Sequence, residues 1–126
     1  MRTVLLSCLF LLLPEATVNV DNIHWIGHAS FRIEDGATQI YIDPWKLRAG
    51  APKASVVLIT HGHSDHYSPD DVALIEQPGT VFVAPADVAA KLKGKQVTAA
   101  TPGGTYQVGG LSVQAVPAYN TNKEFH

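Results

Sequence analysis

THGHSDHYSPDD, residues 60–71, decides how this chain is read. It places His61, His63, Asp65 and His66 in one short loop, half of the six histidines the chain possesses. Imidazole nitrogen and carboxylate oxygen are the natural donors for zinc and its neighbours in the transition series. Two histidines at i and i+2 on an extended or turning backbone can point the same way, so His61 and His63 can share one ion. Asp65 and His66 follow at once and can turn toward a second. One loop histidine alone is most cheaply read as a solvated side chain. With six histidines and seven aspartates in 126 residues, however, the pattern HxHxDH arises by chance in roughly one chain in a thousand, which outweighs the usual false-positive risk of a short motif.

The flanks of the loop agree with a site. SVVLIT, residues 55–60, is a β-branched apolar run of the kind found in strands buried on both faces, and it ends directly at His61. Loops at the carboxyl ends of such strands are where α/β sheets hold ligands. On the other side, SPDDVALIEQ starts a helix: Ser68 caps, Pro69 suits the first helical position, and Asp70 and Asp71 favour the positive end of the helix dipole. Upstream, residues 23–26 and 30–34 read as strands broken at Gly27. A turn at Asp35-Gly36 leads to a third strand over Thr38–Ile42, which runs into Asp43-Pro44. Downstream, strands are expected over 80–84, 96–99, 105–108 and 111–116, with a short helix over 86–92. The order is β-rich, then βαβα, then β again. It predicts an α/β (α+β) chain, a mixed sheet with outer helices, in one domain without an internal linker or repeat.

Composition narrows the classes. A chain of 126 residues fits one domain, and a net charge of −2 gives no basic face for nucleic acid. The start, MRTVLLSCLFLLLPEAT, has Arg2, an apolar run over 4–13 and then Pro14. That run is short for a membrane span and suits a secretory signal, so residues 1–16 are expected to be a signal peptide and the protein exported, periplasmic or secreted. Pro14 at the −3 position departs from the usual cleavage pattern, and a buried N-terminal element in a cytoplasmic protein is the alternative. Cys8 is the single cysteine. A processed chain would have none, which leaves no disulfide and no thiolate ligand, and no stable membrane span is expected after processing.

HGHSDH after a β-branched strand resembles the metal-binding motif of the metallo-β-lactamase-fold hydrolases. WIGHASFRI at 25–33, YIDPW at 41–45 and VPAYNTNKEFH at 116–126 resemble one branch of them. That branch comprises bacterial and archaeal metal-dependent hydrolases related to ascorbate-6-phosphate lactonase and, more distantly, N-acylphosphatidylethanolamine phospholipase D. The resemblance covers about residues 22–126. It implies the N-terminal half of an αββα sandwich with a dinuclear hydrolytic site, taking Zn2+ (Mn2+ or Fe2+ as alternatives) and a small-molecule ester, lactone or phosphoester. Carried over residue by residue, His61 and His63 hold the first metal, with His126 as their third ligand. Asp65 and His66 hold the second, and Asp65 faces the activated water as the catalytic residue. Asp43 supports the loop by hydrogen bonding. His28 lies near the site, making a structural hydrogen bond or meeting substrate, and is not counted a ligand. His24 reads as a strand residue, Trp25 and Trp45 as packing, and Tyr67 as an exposed loop tyrosine.

Complete members of that family continue into a second half, with a GDT-type aspartate bridging the metals and a late histidine. No Gly-Asp pair occurs in this chain. The 22–126 domain therefore reads as truncated at its C-terminal half, with self-association through the uncovered sheet as an expected consequence. Two functions stand: a metal-dependent hydrolase completed by further chain or another subunit, or a non-catalytic metal-binding remnant. A structural module that uses no metal conflicts with the motif.

Overall fold

Asp35-Gly36 turns the chain between two antiparallel strands, as its hairpin signal predicts, with Gly36 in the left-handed region. The computed structural model describes residues 20–118. The expected signal peptide at 1–16 and His126 lie outside them. Strands β1 (Ile23–Gly27), β2 (Ser30–Asp35) and β3 (Thr38–Ile42) form an antiparallel meander. Strands β4 (Val56–Leu58), β5 (Val81–Ala84) and β6 (Gln96–Ala99) then add in parallel, giving one sheet in the order β1-β2-β3-β4-β5-β6. Helix α1 (Pro69–Ile75) connects β4 to β5, and α2 (Ala86–Ala89) connects β5 to β6. A hairpin, β7 (Thr105–Val108) and β8 (Leu111–Gln114), forms a separate sheet of two strands.

The two faces of the main sheet follow from the period of two along each strand. Tyr41, Val57, Ile59, Phe82 and Ala84 point to the helices and pack with Val72, Ile75, Val88 and Leu92. The alternate residues Ile40, Val56 and Val83 form a second core with Val108 of the hairpin. Both faces of β4 are thus buried, which explains its unbroken β-branched run. The hairpin approaches closely: Gly109 has φ +56°, and a Cβ there would stand 2.8 Å from Val56 Cγ2.

β4 is regular over Val56–Leu58 rather than the expected 55–60, although Ser55 and Ile59 still bond to the neighbouring strands (Ser55 N–H to Gln39 O, 2.8 Å; Ile59 N–H to Val83 O, 2.9 Å). The helix expected over 86–92 has its regular part at Ala86–Ala89 and continues as turns. Ser68 does cap α1, accepting from the Asp71 N–H at 3.3 Å. Asp71 does more than favour the dipole: it is buried and accepts from the Lys46 and Leu47 N–H groups at 3.0 and 2.7 Å. That carboxylate ties the helix to the chain just past Asp43. Trp25, expected as packing, is 69% exposed on the edge strand, and Tyr67, expected exposed, packs against the helix-side core.

Strand direction positions the site. β3, β4, β5 and β6 are parallel, so their carboxyl ends share one edge, and the antiparallel meander brings the β1–β2 turn to the same edge. His28, Asp43 and residues 60–66 all issue from that edge.

Candidate metal centre

The floor of the centre is Asp43, 2% exposed and in the left-handed region at φ 45°. An aspartate adopts that conformation more readily than most residues, and its N–H is satisfied by Leu58 O at 2.9 Å. Its Oδ1 accepts from the Thr60 N–H at 2.7 Å, and Oδ2 accepts from Thr60 Oγ1 at 2.6 Å. His66 Nδ1 lies 2.8 Å from the same Oδ2, and His66 is 6% exposed. A carboxylate only accepts, so His66 Nδ1 carries the proton and Nε2 is left as the donor atom for an ion.

The same logic extends outward. Thr60 spends its hydroxyl proton on Asp43, so at 3.0 Å it accepts from His61 Nδ1–H. His61 is then the Nδ1-protonated tautomer, and its Nε2 lies 3.1 Å from His63 Nδ1. That separation is close to the edge between two nitrogens on a tetrahedral zinc, about 3.3 Å for bonds of 2.0–2.1 Å. The His61 and His66 rings lie 4.0 Å apart between centroids, so the two histidines held by the Asp43–Thr60 floor adjoin each other. One turn of the loop, closed by the His66 and Tyr67 N–H groups on His63 O at 3.0 and 2.8 Å, turns Asp65 outward.

Asp65 meets a residue from the far side of the edge. His28 Nε2 is 3.0 Å from Asp65 Oδ2, and His66 Nε2 is 3.9 Å from that oxygen. Partial desolvation pushes the Asp65 carboxyl up, but a backbone hydrogen bond and the neighbouring His66 and His28 outweigh it and hold the group below its ordinary value. It is therefore ionised at neutral pH, as a metal ligand requires. Two donor groups result, His28 with Asp65 and His66, and Asp43 with His61 and His66, each with its donor atoms within 4.8 Å of one another. Their chemistry and spacing fit a divalent transition ion.

Of the residues singled out in the sequence, the structure gathers His28, Asp43, His61, His63, Asp65 and His66 at one edge; His126 lies outside the described residues. His24 stays away, paired with Glu34 at 3.4 Å. Thr60 was missed as a site residue, although its place directly before His61 and at the end of a buried strand is the signal that points to it. Beside Thr60 a cleft of about 550 Å³ opens, lined by Ile42, Leu58, Pro85, Val113 and Val116 among others.

Comparison with known proteins gives the family and the fold. A UPF0173 metal-dependent hydrolase of Rhizobium etli (strain CIAT 652) is 36% identical over 115 residues, covering 81% of this chain and 49% of that protein. One from Methanopyrus kandleri is 34% identical over 113 residues, covering 80% of this chain and 48% of its own. Among solved structures, a metal-dependent hydrolase from Parabacteroides distasonis superposes with a TM-score of 0.71 at 31% identity, over 81% of this chain and 47% of that one. A metallo hydrolase from the hyperthermophilic archaeon Ignicoccus hospitalis gives 0.60 at 25% identity, over 79% and 51%. The chain spans about half the length of the curated relatives it matches. Residues 22–125 match the Beta-lactamase superfamily domain, and the chain belongs to that superfamily.

Proposed function

We propose that this chain carries the amino-terminal metal centre of a metal-dependent hydrolase acting on an ester, lactone or phosphoester of a small molecule. The observation that carries the reading is the chain of hydrogen bonds from buried Asp43 through Thr60 to His61, with His66 on the same carboxylate. It fixes two histidine tautomers so that Nε2 of each is available to a divalent ion, Zn2+ by donor type with Mn2+ or Fe2+ as alternatives. Such an ion supplies polarisation of the scissile group and activation of water at neutral pH. The protein's own part is to hold His61, His63 and His66 in place and to keep Asp65 ionised, where it orients water and takes its proton. The cleft beside Thr60 has the apolar walls and few polar groups expected of a small-molecule site.

A second reading is a metal-binding chain without turnover of its own. The observation that favours it is the donor set: among the described residues two three-residue groups share His66, an arrangement sufficient for binding an ion whether or not turnover follows. Metal analysis of the purified chain, with phosphodiesterase and lactonase assays before and after chelation, separates the two. Bound metal with chelator-sensitive turnover supports the hydrolase; bound metal without turnover supports the second reading; no bound metal contradicts both.

A further inference from the structure

We propose that His28 is itself a metal ligand, completing with Asp65 and His66 a three-donor site for a divalent transition ion inside this chain. The inference rests on the metal-centre reading above and adds to it a residue that the loop motif does not contain.

Three independent features of His28 point the same way. The first is donor geometry. His28 Nε2 and His66 Nε2 stand 3.0 and 3.9 Å from one Asp65 oxygen. Two ligands on zinc at about 2.0–2.2 Å are about 2.9–3.5 Å apart. The His28–Asp65 pair falls in that range and His66 lies just beyond it, all three donor atoms being within 4.8 Å of one another, so a small inward shift of His66 brings them onto one ion. His66 meets Asp43 through Nδ1, so Nε2 is the atom it turns to this side.

The second is backbone conformation. His28 has φ 51°, next to Gly27 at φ 147° and a register shift in the β1–β2 pairing. Histidine enters that region more often than most non-glycine residues, but glycine adopts it without steric cost, so the turn itself does not require an imidazole. Strain of this kind persists where the surroundings over-determine it, and it gathers at functional positions.

The third is the investment in holding the turn. Trp25 Nε1 donates to His28 O at 3.0 Å, and Trp45 packs edge-on against the imidazole at 5.5 Å. This accounts for an exposed indole that the core does not use. The His28–Asp65 pair alone does not account for it: both side chains are substantially exposed, at 46% and 39%, and surface pairs of that kind contribute little. Ligation does, because a ligand must be fixed in position before the ion arrives.

The test is Co2+ and Zn2+ titration of the full chain, read by elemental analysis and by cobalt absorption, for the wild type, His28→Asn and His61→Ala/His63→Ala. Asparagine tolerates the left-handed backbone and removes the imidazole Nε2; its shorter side chain also gives up the contact with Asp65, an exposed pair that contributes little. The expected result is that His28→Asn weakens the ion at Asp65 and His66 by more than the 10–100-fold typical of an outer residue, while the ion at His61 and His63 stays. Unchanged affinity for both ions overturns the proposal and leaves the metal-centre reading standing. A wild-type chain that takes no metal overturns both. Should His28→Asn fail to fold, NMR of the Co2+-loaded wild type decides: a His28 ring N–H carrying the large contact shift of a metal-bound imidazole supports ligation, and a His28 ring shifted only through space, or not at all, overturns it.

Discussion

The candidate metal centre has two sides built on different terms. On the inner side Asp43, Thr60 and His66 form a buried, hydrogen-bonded floor; on the outer side His28 and Asp65 meet in a solvent-exposed pair. The floor belongs to the fold: its carboxylate terminates β3, its threonine terminates β4, and the bonds between them join adjacent strands. The outer pair belongs to two turns and is held by aromatic contacts and backbone conformation. The difference teaches that what holds the fold and what would hold an ion are carried by different residues here. The floor should respond to mutation through both, and the rim mainly through the ion.

The largest effect is expected at Asp43→Ala. It leaves the Thr60 N–H and hydroxyl and His66 Nδ1 without their shared acceptor, and breaking such a buried set costs about 3–5 kcal/mol. Urea denaturation should show the drop, with metal affinity lost alongside. A change under about 1 kcal/mol would mean that the floor does not hold the fold. Thr60→Val comes next. It keeps shape but removes the hydroxyl between Asp43 and His61, at about 1–2 kcal/mol and a 10–100-fold loss of metal affinity. Thr60→Ser should restore both, and failure of serine to rescue would assign the effect to packing. Ser68→Ala, at the far end of the loop, should cost about 1 kcal/mol through the lost cap of α1, with metal affinity unaltered. The smallest stability change belongs to Asp65→Asn on the rim, within about 0.5 kcal/mol, yet metal at the outer group should fall sharply. Equal losses of stability at Asp43 and Asp65 would erase the distinction between the two sides.

Much of this was legible in the chain itself, and for identifiable reasons. The parallel strand at 55–60 announced itself because burial on both faces leaves an unbroken apolar run, and the helix after it because Ser68-Pro69-Asp70-Asp71 is a start signal with a local mechanism. The loop histidines stood out as candidate donors because ligand spacing is short-range, and the structure brings them to one edge. Thr60, Asp71 and the ring contact of His28 with Trp45 were not, because each depends on residues brought together by strand pairing across 15 or more positions. Trp25 and Tyr67 were read the wrong way round for the same cause. Hydrophobicity alone does not say which strand lies at a sheet edge, and β1 does, leaving its indole in solvent to hold a turn.

The central claim is that the 60–66 loop holds metal through named histidines. Its most direct measurement is metal content by elemental analysis of the wild-type chain beside His61→Ala/His63→Ala, both shown folded by circular dichroism. The account predicts that the double variant loses the ion held between His61 and His63 and keeps the one at Asp65 and His66. Identical metal content in the two proteins would contradict it.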